Sequence, residues 1–199
     1  VTQHMPEGFT AMYAERLNRL CAMQVKEAEN GDQIRQGQVL IAPGGDYHLK
    51  VSKKGINYYV NCVPGSKVNG HRPSVDVLFR SVAETVRSEG IGIILTGMGA
   101  DGAEGLLAMR QKGSFTIGQD KESCVVYGMP MVAKQIGAVC SEAPCSRIGT
   151  LLVNQLNSLS FGDFEYDPEK KTAKETGISF RRSFPWRGYF AASAHLCMP

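Results

Sequence analysis

Paired cysteines are missing. Cys21, Cys62, Cys124, Cys140, Cys145 and Cys197 form no C-x-x-C, and a chain of 199 residues does not need a disulfide framework to hold its core. Free thiols are expected. Zinc is not, because Cys140 and Cys145, the closest pair, have neither a second pair nor a histidine at ligand spacing. No apolar run is long enough to cross a bilayer, and the first residues lack the basic, apolar and small-residue sections of a signal peptide. Charge of one sign is scarce as well: the net charge is +3 with no extended block, so nucleic acid is not an expected partner. Membrane insertion is not expected either, and the chain reads as cytoplasmic.

A hydrophobic content of 43% suffices for a full core, and one domain with a tail is the expected organisation. The domain covers 1–159. The tail, 160–199, is rich in charge, lacks apolar periodicity at its start, and is expected to be disordered or unrelated to the rest. Its Phe180-Arg181-Arg182-Ser183-Phe184-Pro185-Trp186-Arg187 mixes cations with aromatics, a composition that can stack on bases or dock on a partner, although an unstructured tail is the simpler account.

The most informative stretch runs from Ile91 to Leu106. Ile93, Ile94 and Leu95 form a short apolar run of the kind buried in a parallel sheet, Gly97, Gly99 and Gly102 allow a sharp turn, and Ala103, Leu106, Leu107 and Arg110 repeat at helical spacing. Strand, tight turn, helix is the prediction, with the turn at the carboxyl edge of the sheet, where open α/β folds keep their sites. Gly97-Met98-Gly99-Ala100-Asp101-Gly102 also satisfies the G-x-G-x-x-G dinucleotide fingerprint, with Asp120 near the distance of a ribose-binding acid. Against that, Asp101 itself would put an anion on the helix donors that a pyrophosphate needs. Such a carboxylate either caps the helix or orients a base.

The first residues read as the end of a strand that begins upstream, followed by a helix from Phe9 and Thr10, with His4 in the loop between and so also at the carboxyl edge. Short β runs at 25–28, 39–42, 49–51 and 58–60, separated by turn residues, predict an antiparallel ribbon beside a parallel sheet. Asp46 and His48 read as loop polars. His71 and Arg72, in the loop before an amphipathic helix N-capped by Ser74 with Asp76 in its first turn, are candidate contacts for an acidic or carbonyl-bearing substrate. Alternation continues with a strand at 115–118, a strand or bend at 125–130, a short helix at 131–136 and a last helix from Ile148.

Five ordered segments carry a resemblance: Thr2-Gln3-His4-Met5-Pro6-Glu7-Gly8-Phe9-Thr10, Ile41-Ala42-Pro43-Gly44, His71-Arg72-Pro73-Ser74-Val75-Asp76-Val77-Leu78-Phe79, Leu95-Thr96-Gly97-Met98-Gly99-Ala100-Asp101-Gly102 and Tyr127-Gly128-Met129-Pro130. Together they resemble the catalytic domain of the chemotaxis protein-glutamate methylesterase family, CheB, over 1–159. The resemblance implies an α/β fold, doubly wound and mostly parallel, with the antiparallel ribbon added. It implies hydrolysis of glutamyl methyl esters, and deamidation of glutamines, on methyl-accepting chemoreceptors by a Ser-His-Asp triad. The histidine falls on His4, the aspartate on Asp101, and the backbone N–H of Met98 falls where the family helps to hold the oxyanion. No cofactor or metal is implied. In the complete protein, the implied partners are an upstream receiver domain and a histidine kinase as phosphodonor.

The family's serine, in a G-x-S-x-G-G turn after the first strand, has no counterpart in these residues. Ser66, Ser74 and Ser123 lie in no such turn. A domain lacking that strand is expected to be inactive alone and, with sheet edges unpaired, poorly soluble. Two other functions are compatible with these residues: a non-catalytic receptor-binding module, and a dinucleotide-binding enzyme using the Gly97 turn. The esterase reading requires His4 and Asp101, far apart in the chain, to meet.

Overall fold

The structure is a computed structural model and describes residues 1–159 and 189–193. Its helices are α1 (Phe9–Leu20), α2 (Val75–Thr85), α3 (Ala103–Gln111), α4 (Met129–Gln135) and α5 (Cys145–Leu159). The strands are β1 (Gln24–Glu27), β2 (Gln38–Ile41), β3 (Tyr47–Lys54), β4 (Asn57–Pro64), β5 (Gly90–Ile94), β6 (Phe115–Gln119), β7 (Ser141–Ala143) and β8 (Tyr189–Ser193). Four strands form a parallel sheet in the order β7-β6-β5-β8, β1 and β2 pair in parallel, and β3 and β4 form an antiparallel hairpin. This is the expected α/β architecture of parallel strands with an antiparallel pair.

Two details depart from the sequence expectation. Only β3 and β4 form the ribbon. The turn residues between the first two β runs, Asn30-Gly31-Asp32, belong instead to a connection that runs back across β4, where Gly31 N–H donates to Val60 O and Val60 N–H to Asp32 O. A connection with that excursion returns the chain parallel to β1, as a two-residue turn cannot. The second departure is β8. Tyr189–Ser193 lies parallel to β5 in register with Gly90–Ile94, in a part of the tail where the sequence shows no strand pattern. The other tail expectations fall outside the described residues.

At the start of the chain, the Val1 amine donates to Leu40 O and the Val1 carbonyl accepts from Ala42 N–H, so this end runs beside β2 as a strand would. The adjoining loop brings His4 to the loop after β5.

All five residues of β5 are buried, with α2 and α3 packed together over one face of its sheet. Phe79, Leu106 and Met109 are fully enclosed there. The two helices approach closely at Gly105, where a Cβ would lie 2.7 Å from that of Phe79 and 2.9 Å from Asp76 O. Gly105→Ala gains about 1 kcal/mol of helix propensity. Overpacking costs about 1–3 kcal/mol and has backbone on one side that cannot rotate away. A net loss of stability is expected, read as a lower urea midpoint; an unchanged or raised midpoint would show that the helices part without strain.

Candidate active site

Asp101 lies in the turn between β5 and α3, and its carboxylate is enclosed. The sequence leaves two roles open for it, capping α3 or orienting a base. In the structure, Gly102 occupies that N-cap with no side-chain bond, and its positive φ of 94° turns Asp101 toward α2 instead. Asp101 Oδ2 accepts from Val75 N–H at 2.7 Å, and Oδ1 accepts from the Ser74 hydroxyl at 2.7 Å, Asn69 Nδ2 at 3.2 Å and Asp76 N–H at 3.3 Å. The exchange is reciprocal. Asp76, in the first turn of α2, accepts at Oδ1 from Gly105 N–H of α3 at 2.6 Å.

The His4 imidazole completes the set: Nε2 lies 2.7 Å from Asp101 Oδ2, with the His4 side chain 11% exposed and that of Asp101 0%. The two expected partners meet. An ionised acid can only accept, so Nε2 carries a ring proton, and in the neutral ring the lone pair is on Nδ1. Burial pushes the Asp101 carboxyl upward, but bonds from His4, Ser74, Val75 and Asn69 outweigh it and hold the pKa at about 2. A permanent carboxylate, fixed on one ring nitrogen, thus sets the tautomer of the other. Donors that a pyrophosphate would use at these helix ends are occupied by Asp101 and Asp76, and Asp120 accepts from the backbone and hydroxyl of Ser123. The dinucleotide expectation has no room here.

His71 stacks on His4, with ring centroids 3.7 Å apart and planes 5° from parallel. Burial, followed by the neighbouring His4 ring, pushes the His71 imidazole below its usual value. Arg72 is placed differently. Its Nε and Nη1 donate to Gly45 O at 2.9 Å and Gly65 O at 2.7 Å, and Nη2 pairs with Asp46, so the guanidinium clamps two loops. Charge-assisted bonds of this kind contribute about 1.5–3 kcal/mol each, and Lys cannot reproduce the fork. Arg72→Lys and Arg72→Ala are therefore expected to lower the thermal midpoint by similar amounts; a Lys variant as stable as the parent would reduce Arg72 to a point charge.

The Met98 side chain is 77% exposed at the rim. Its turn is pinned from below, because Gly97 N–H donates to Val126 O while Gly97 O accepts from Gly128 and Met129 N–H. Among the described residues nothing accepts from Met98 N–H, which leaves that donor for a ligand.

Two contributors escaped the sequence reading. His48, read as a loop polar, is a buried residue of β3 whose Nδ1 accepts from Ser74 N–H at 3.1 Å and whose Nε2 donates to Ser66 O at 2.8 Å. Asn69 is the other, and its only sequence signal is the Asn69-Gly70 turn dipeptide. Among the described residues no group of three or more His, Cys, Asp or Glu could hold a metal ion, and no helix is long and apolar enough to cross a membrane.

The chain as a whole is similar to known proteins. The chain is 59% identical over 159 residues to a Syntrophomonas wolfei relative named protein-glutamate methylesterase/protein-glutamine glutaminase 2, matching 80% of this chain and 46% of that one. An Escherichia coli K12 protein named protein-glutamate methylesterase/protein-glutamine glutaminase is 49% identical over 158 residues, matching 79% of this chain and 45% of its own length. The chain thus spans somewhat less than half of these curated relatives. The crystal structure of the Thermotoga maritima CheB methylesterase catalytic domain superposes with a TM-score of 0.75 at 39% identity, over 78% of this chain and 82% of that domain. The family model for CheB methylesterase matches residues 1–152, and the chain belongs to that family.

Proposed function

We propose that this domain hydrolyses glutamyl methyl esters, and deamidates glutamines, on methyl-accepting chemoreceptors in the cytoplasm. The contact between His4 Nε2 and Asp101 Oδ2 at 2.7 Å is the observation that carries the reading. The names of the relatives supply the bond that is cut. A serine from outside these 199 residues, on the strand that the family places before His4, is the nucleophile. In the complete protein a receiver domain, phosphorylated from a histidine kinase, governs access to the site.

Chemistry follows from the tautomer. The serine oxygen attacks the ester carbonyl while His4 Nδ1 takes its proton, and the imidazolium formed is stabilised by Asp101. Charge on the carbonyl oxygen is held by backbone donors, Met98 N–H among them, at about 2.7–4 kcal/mol per donor. As the tetrahedral adduct collapses, methoxide leaves with the proton from His4 as methanol. Water then attacks the acyl serine by the same route and frees the glutamate. With glutamine, ammonia is the leaving product.

The test is methanol release from methylated receptor by the protein that carries this domain together with its serine. Release is expected, and its absence from a folded, serine-containing protein would overturn the function.

A further inference from the structure

Asp76 and Asp101 are both buried, 3% and 1% exposed, and one nitrogen serves both. Asn69 Nδ2 lies 2.6 Å from Asp76 Oδ2 and 3.2 Å from Asp101 Oδ1, so two acids sit within two hydrogen-bond lengths of each other with a single amide between them. Both partners are carboxylate oxygens, which fixes the amide orientation: only the NH2 end can face them, one hydrogen to each.

The backbone at Asn69 suits the task. Its φ of 52° and that of Gly70, 79°, form a tight turn in which Val68 and His71 exchange both backbone hydrogen bonds, at 3.0 and 2.9 Å. Asparagine tolerates the left-handed region better than most residues. The same turn delivers His71 to the face of His4.

We infer that Asn69 is a positioning residue: its amide bridges Asp76 and Asp101, keeps Asp101 an aligned acceptor for His4, and lets two buried acids stand side by side. For the consequences in catalysis, this rests on the function proposed above. Without the bridge, Asp101 loses a donor, and the two acids face each other with less to separate them. The other groups facing this cluster are His4, His71 with Lys67 beyond it, and Arg80, on α2, near Asp76. Burial already pushes the Asp76 carboxyl upward, and the nearby Asp101 adds to that, which makes the pair sensitive to any lost donor.

Carboxyl 13C NMR titration of the serine-containing protein decides the matter without substrate. Asn69→Gly keeps the positive φ and removes only the amide; Asn69→Asp keeps the shape and replaces the donor with an acid. Proton affinity at the Asp76–Asp101 pair is expected to rise about tenfold, or about one pH unit, in Asn69→Gly, and further in Asn69→Asp. Unchanged midpoints in a folded Asn69→Gly chain would overturn the inference. If that variant does not fold, the parent chain still decides: both Asn69 side-chain amide protons must shift as the two acids titrate, and amide resonances blind to that titration would also overturn it. In the serine-containing protein, Asn69→Gly should lower kcat about tenfold with KM unchanged and move the acid limb of kcat to higher pH. A protein that releases no methanol would sink the proposed function while leaving the titration result intact.

Discussion

His4→Ala is expected to lower kcat for methyl ester hydrolysis by about 10⁶-fold in the serine-containing protein, the scale seen when the histidine of a serine protease triad is removed. In the proposed mechanism, loss of the imidazole leaves nothing to take the serine proton during attack and nothing to return one to the departing methoxide. KM should move little, because His4 contributes to the transition state and not to holding the receptor. Single-turnover and steady-state methanol release check this together. A variant that keeps even a tenth of the parental kcat would show that another group acts as the base. Stability should change modestly, since the His4 ring is partly exposed and the backbone of its loop is held independently by the pairing of Val1 with β2.

Asp101→Asn should cost about 10⁴-fold in kcat, for a reason that lies in its donors. Three donors, the Ser74 hydroxyl, Asn69 Nδ2 and Asp76 N–H, converge on Oδ1, whereas Oδ2 receives only His4 and Val75. An asparagine amide would therefore turn its NH2 toward the Oδ2 side. His4 would have to accept there, its proton would move to Nδ1, and the nitrogen needed as base would be blocked. A ¹⁵N spectrum of His4 should report the exchanged tautomer in Asp101→Asn, and an unchanged Nε2–H tautomer would contradict this account.

The same residue makes stability depend on acid. Its folded pKa of about 2 lies below the ordinary 3.8, so the unfolded chain binds the extra proton. The stabilisation is complete above the unfolded value and is lost as pH falls toward about 2, amounting to about 2 kcal/mol. Asp76 acts in the opposite sense. Its folded pKa is raised, so its contribution weakens as pH rises from the unfolded value through the folded one. Urea midpoints at pH 3 and pH 7 should differ less in Asp101→Asn than in the parent chain; an equal difference would place the acid sensitivity elsewhere.

Much of this site is legible in short windows. The β5 run, the glycine turn and the α3 periodicity are contiguous, and Ser74 announces the start of α2 by its residue type and by Asp76 behind it. His4 and Asp101 are recognisable at loop positions after strands. What stayed hidden is the pairing between elements. Nothing in the local sequence says that Asp101 serves α2 and not α3; that follows from the positive φ at Gly102 and from the closeness of the two helices at Gly105. His48 escaped notice because a histidine in a strand looks the same whether or not a helix end lies above it. Asn69 reads as a turn residue, which it is, and its amide gains a second role only because two acids from distant segments arrive beside it. The parallel pairing of β1 with β2 depends on a connection whose path across β4 no turn motif describes.

β5 has one flank taken by β6 and the other by Tyr189–Ser193. A row of backbone donors and acceptors accommodates one neighbour at a time. That berth is exclusive: a parallel strand from any other source could moor against β5 only by evicting residues 189–193. Tethering gives the resident a high local concentration, so a rival is admitted most readily when it, too, belongs to the same polypeptide.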